Sequence, residues 1–152
     1  MRFYALCLVL AAGAAFPAQA ADVNLSANLI NSCILSLTST GTMTAASSGT
    51  RISSEESGGS AATLTLVAVG TAPTLSFSAP ALTATPSGWS ASPTLEIRYT
   101  SLGGAIQAYT PSSSSASLTA LTDSFTIHGR VTNAAGFAAG AYNIRTVATC
   151  SQ

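Results

Sequence analysis

Lysine is absent from this chain, histidine occurs once, and only ten of its 152 residues are charged. The five arginines are scattered, so no basic patch exists to neutralise phosphates, and nucleic acid is excluded as an expected partner. So few ionisable groups leave little material for acid–base catalysis. Of three cysteines, Cys7 lies in the first apolar run. Cys33, Cys150 and His128 are then too few and too far apart for a zinc site, so neither metal nor cofactor is expected. Long apolar runs are also missing. The longest, Ala5 to Phe16, has twelve residues, short of the roughly 20 needed to span a bilayer. What the chain has in abundance is small: 43 serines and threonines and 29 alanines. With Thr and Val, such residues favour strands over helices. The expected class is one small, exported, all-β domain with hydroxyls as its solvating groups.

The start reads as an address. Met1-Arg2, the apolar run, Pro17 and then Ala18-Gln19-Ala20 follow the pattern of a secretory leader with a small-x-small cleavage site. Residues 1–20 are therefore expected to be a signal peptide, and residues 21–152 a single β-sandwich. In an exported chain the pair Cys33 and Cys150 reads as one disulfide. It would close a loop of 117 residues, for which the chain-entropy model gives about 4–5 kcal/mol.

Alternation with a period of two runs through the mature chain. Val23, Leu25, Ala27 and Leu29 fall on one side of an extended segment, and Asn24, Ser26 and Asn28 on the other. Cys33 to Leu37 follows as a second strand or a continuation past a bend. Thr40 to Ser60, polar and glycine-rich, reads as a long loop or a weakly paired hairpin. Thr63 to Val69 is the strongest strand, Thr74 to Ser78 a short one. Pro80, Pro86, Gly88 and Pro93 punctuate a loop carrying Trp89, the only tryptophan. Thr94 to Thr100 alternates again, Tyr109-Thr110-Pro111 and four serines mark a loop, and Ser124 to Val131 and Ala141 to Cys150 are the last strands. Short strands separated by Gly, Pro and Ser describe a β-sandwich.

Catalytic constellations fail on spacing. Ser124 and His128 are four residues apart on a strand, about 13 Å, too far for a hydrogen bond, so Asp123, Ser124 and His128 do not form a triad. Glu55 and Glu56 read as a solvated pair in a polar loop. Glu96 and Arg98 share a face and would form a surface pair of little energetic value. The chain is not expected to be an enzyme.

Three stretches resemble the archaic chaperone–usher pilins, the group that includes spore coat protein U-like domains. They are Asp22-Val23-Asn24-Leu25 with Leu29 ahead of Cys33, the strand and turn Leu64 to Thr74 with its Gly70-Thr71-Ala72-Pro73, and Phe125 to Val131 followed by Ala139-Gly140-Ala141-Tyr142. The resemblance implies an immunoglobulin-like sandwich lacking one strand. A periplasmic chaperone would first fill its groove, and an outer-membrane usher would exchange that for the N-terminal segment of a neighbouring subunit. Main-chain hydrogen bonds would give affinity and alternate side chains would fill pockets. Here the donor residues would be Val23, Leu25, Ala27 and Leu29, and the accepting edge Tyr142, Ile144 and Ala148. The product would be a fibre on the cell surface serving adhesion or biofilm formation. The alternative is a self-contained secreted binding or coat domain with Trp89 on its contact surface.

The chain departs from the family at its cysteines. Members commonly pair the first cysteine with one in the strand before the G-T-x-P turn, where Ala68 stands. A donor strand between the flanking strands would hold them about 9–10 Å apart, beyond the roughly 7 Å reach of a disulfide. Either Cys33 and Cys150 meet past the end of the groove, or the two strands pair directly and the sandwich is complete.

Overall fold

A computed structural model describes residues 25–152. The leader (1–20) and Val23 lie outside the described residues. Among these residues every regular element is a strand, and there is no helix long and apolar enough to cross a membrane.

Twelve strands build two layers. The larger sheet places β1 (Ser32–Ser39), β4 (Ala62–Val69), β10 (Thr122–Thr132), β7 (Thr94–Ser101) and β8 (Ile106–Thr110) side by side, all antiparallel. β10 outruns β4, and its far end pairs with a small hairpin, β2 (Thr44–Ala45) and β3 (Arg51–Ser53). The stretch 40–60 is thus the hairpin of the two readings above. The opposing layer is β12 (Ala148–Ser151), β5 (Thr74–Phe77) and β9 (Ser114–Ser117). It is prolonged by the pair β11 (Asn143–Arg145) and β6 (Ala81–Ala84).

The core follows from the alternation. Leu64, Leu66 and Ala68 of β4, Ile97 and Tyr99 of β7 and Phe125 of β10 project from one sheet onto Leu75 and Phe77 of the other. Phe77, Tyr99 and Phe125 meet at centroid distances of 4.7, 6.2 and 5.9 Å, mostly edge to face, the geometry that aromatic quadrupoles favour.

Three strands lie where loops were expected, and one of them, β8, takes in Tyr109 and Thr110 ahead of Pro111. The serine run forms part of β9: its main chain bonds to β5, and a strand of small side chains needs no apolar signal when its backbone groups are paired. β6 likewise sits inside the proline-punctuated loop. The last strand is interrupted between β11 and β12. There Thr146 Oγ1 donates to the Ser78 carbonyl at 2.7 Å, and the Val147 N–H donates to Ser78 Oγ at 2.9 Å.

Candidate functional site

A sandwich has two long margins, and here they differ. At one, the chain passes from β8 through Pro111 to β9, so the two sheets are joined by backbone, with Ala105, Ala116 and Leu118 packed beneath. At the other, β1 pairs only with β4, and β11 and β12 pair only with β6 and β5. No ladder joins β1 to β11 or β12 among the described residues. Both are edge strands, each presenting unpaired N–H and C=O groups.

What joins this margin is the Cys33–Cys150 disulfide, with a Cα–Cα distance of 6.2 Å. Of the two alternatives, direct pairing of the flanking strands is the one the geometry rejects. The bond pins the first turn of β1 to the end of β12, where Leu35 and Ala148 also reach the core. Ala68 stands directly opposite Cys33 in the ladder between β1 and β4.

Beyond that pin the margin opens. Leu37 lies opposite Leu64, and opposed residues share a face of the sheet. Leu64 is only 5% exposed, yet Leu37 is 59% exposed, an apolar side chain on the inner face without a cover. A cavity of about 360 Å³ follows between Gly41–Met43 on one side and Asn143, Ile144 and Thr146 on the other, over Ala62, Ile97, Ile127 and Gly129. A second, of about 500 Å³, continues past Met43 and Tyr142, which line both, between the β2–β3 hairpin and the turn Phe137–Ala141. Together they form a groove along the chain from Thr146 back to Phe137.

Gly129 shapes it. A Cβ there would run into Ile144 Cδ1, so a glycine in β10 is what lets Ile144 settle onto the large sheet. Tyr142 is held by its hydroxyl, which donates to the Ala138 carbonyl at 3.0 Å. It packs edge-on against Trp89 and Phe137, with centroids 5.1 and 5.2 Å away. Trp89 in turn stacks on Phe137. It is half-buried in a small aromatic cluster at the open end of the groove, rather than standing free on the surface.

The segment ahead of β1 stays outside the sheets. Residues 25–31 form no strand and are all exposed, Leu25 at 94% and Leu29 at 69%; Ala27 shares their side of the alternation.

The charged groups form a second focus that sequence reasoning missed. Glu96 and Arg98 do not pair with each other. Glu96 accepts from Arg130, directly across the ladder, at 2.7 and 2.9 Å, and Arg98 pairs with Glu55. Glu55 also accepts from the Tyr109 hydroxyl at 2.6 Å, and Arg51 binds Glu56. Glu55 and Glu56 are therefore each engaged, not a freely solvated pair. The Arg130 guanidinium lies 3.9 Å from the Tyr109 ring centroid, a cation–π contact. The hydrogen bond from Tyr109, with help from Arg98, holds the Glu55 carboxyl below its usual range. Burial and that same bond push the Tyr109 hydroxyl up, and burial lowers His128. Opposite charges brought together by strand register carry no local sequence signal, which is why spacing along one strand misled.

His128 Nδ1 lies 3.0 Å from Ser54 Oγ. That hydroxyl also accepts the Gly129 N–H at 3.1 Å, and Ser54 is 6% exposed, so it faces backbone rather than solvent. Asp123 accepts the N–H groups of Gly103 and Ser124 at 2.8 and 2.7 Å, which fixes the β7–β8 turn. Among the described residues no three metal-ligating side chains converge.

The class these features define is an all-β sandwich of antiparallel sheets with one covalently pinned, unpaired margin. No protein-family model, curated protein or solved structure matches the chain.

Proposed function

We propose that this chain is a secreted structural subunit of a surface fibre, assembled by donor-strand complementation. The accepting surface is the groove between β1 and β11–β12, and the donor is the segment Val23 to Leu29 of a neighbouring copy. The observation that carries the reading is a pairing of opposites in one molecule. The facing sides of β1 and of β11–β12 have no strand bonded to them, and partly apolar cavities run on along the β11 edge. The described part of the alternating segment ahead of β1, residues 25–31, lies exposed and outside any strand. Each supplies what the other lacks: main-chain partners for the edges, and cover for Leu25 and Leu29.

The immunoglobulin-like, strand-deficient form of the sandwich belongs to this proposal, as do the periplasmic chaperone and outer-membrane usher. An open hydrophobic edge is an aggregation hazard, so a chaperone that fills the groove during export suits it. Donation from each copy to the next is a heterologous contact that extends into an open fibre. Adhesion or biofilm formation is the role such a fibre would serve. No chemistry is assigned to the ionic cluster, whose groups are engaged with one another. The self-contained binding domain is the weaker reading, because Trp89 is packed against Phe137 and Tyr142.

The test uses the full mature chain and a full-length Leu25→Ser/Leu29→Ser form, whose changes fall on exposed side chains and leave the sandwich intact. The former should polymerise at high concentration and the latter stay monomeric while still binding a synthetic peptide of residues 22–29. If the mature chain is a stable monomer that ignores the peptide, the proposal is wrong.

A further inference from the structure

We propose that the Cys33–Cys150 disulfide is a length gauge: it closes one end of the groove, so that an inserted strand pairs up to that point, about seven residues from Tyr142, and no further in that direction. The inference rests on the strand-accepting groove proposed above and adds what selects its occupant.

A strand bonded to both edges stands about 4.8 Å from each, which sets their backbones roughly 9.5 Å apart. At the disulfide the two Cα atoms are 6.2 Å apart. An inserted backbone has no room between them, and its pairing must stop there. The edge that remains runs from Tyr142 to Ala148, seven residues, and Ala148 opens β12 two positions before Cys150. The occupant offered by a second copy, Val23 to Leu29, is also seven residues, with four apolar side chains on one side. Only Ile30, Asn31 and Ser32 separate it from Cys33. Three residues span about 10 Å, so the donating sandwich sits against the open end, away from the disulfide.

The position of the second cysteine is what makes the gauge. Ala68 lies directly opposite Cys33 within the large sheet. A bond between those two positions would cross-link β1 to β4 and leave the groove open along its whole length. A bond to Cys150 spans the groove instead.

The experiment measures the affinity of the full-length Leu25→Ser/Leu29→Ser chain for synthetic peptides of five, seven, nine and eleven residues. The peptides share the C-terminal end of Val23–Leu29 and differ only at the N-terminal end, the one that meets the disulfide, lengthened there by alternating Val and Asn. In the disulfide-bonded chain, affinity should rise about tenfold or more from five to seven residues, the effect of one further buried apolar side chain. It should then stay within about twofold at nine and eleven.

Two variants move the limit. Cys33→Ala/Cys150→Ala removes the bond, and Ala68→Cys/Cys150→Ala relocates it into the sheet, keeping a cross-link should the first fail to fold. Either one, when folded by circular dichroism, should bind the nine-residue peptide about tenfold more tightly than the seven. Affinity that keeps rising past seven residues in the disulfide-bonded chain overturns the gauge, as does an unmoved plateau in the folded variants. Failure of every peptide on every form overturns the groove itself, and the gauge with it.

Discussion

Along the β8–β9 margin the backbone itself passes from one sheet to the other, whereas along the β1–β12 margin no ladder joins the described strands and one disulfide ties them at one end. The first margin buries Ala116 and Leu118 against the core; the second leaves Leu37 on the inner face and mostly exposed. Backbone continuity closes a sandwich everywhere it runs, and a single bond closes it at a point. A chain that needed only stability would gain from pairing both margins. One that must receive a strand has to leave one of them open, and the disulfide supplies stability without closing the whole length.

This contrast can be broken at the bond itself. Replacing Cys33 and Cys150 by alanine should cost about 4–5 kcal/mol of stability by the chain-entropy model, read from denaturant unfolding. A loss under about 1 kcal/mol would mean that the β1 margin is held by something else.

The inner face offers a sharper comparison, because Leu66 and Leu37 both project from it. Leu66→Ala should cost roughly 2–5 kcal/mol, since the side chain is fully buried. Leu37→Ser should change stability by less than about 0.5 kcal/mol, while reducing self-assembly. Equal losses in thermal unfolding would show that the groove is already covered in the monomer. Between them in size stands Gly129→Ala. Its new Cβ would meet the flexible tip of Ile144, which can move aside, so the cost should be about 1 kcal/mol, the low end for overpacking, with lower affinity for the donor peptide.

The smallest effect lies in the ionic cluster on the outer face. The folded-state pKa of Glu55 is depressed below its ordinary value of 4.5, chiefly by the Tyr109 hydrogen bond. Its contribution is therefore fully present above the unfolded value and is lost as pH falls through the folded one. Glu55→Gln should flatten this part of the acid unfolding curve and leave assembly at neutral pH unchanged. His128 has its pKa lowered by burial, so the unfolded chain takes up its proton first. Stability should fall as pH drops from about 6.5 toward the folded value, and His128→Asn should remove that slope.

Much of this architecture was legible from alternation. The strands at Thr63–Val69, Thr94–Thr100 and Ser124–Val131 lie within β4, β7 and β10, because each has one buried face and the period of two marks it. β9 was not legible: Ser114 to Ser117 bury little, and only the backbone of β5 tells them apart from a loop. The Arg130–Glu96 and Arg98–Glu55 pairs were hidden for a related reason, since register between distant segments decides them. The two cysteines announced a bond without saying what it spans. Composition points to an all-β domain, and the structure adds which margin is left without a ladder.

The most direct test of that free margin is amide hydrogen exchange on the full-length Leu25→Ser/Leu29→Ser monomer, with and without the peptide of residues 22–29. Amides along Asn143 to Ala148 whose N–H groups face the groove should exchange quickly alone and become strongly protected when the peptide binds, while β8 and β9 stay unchanged. Protection of that edge already present in the free monomer, or no change on adding peptide, would contradict the account.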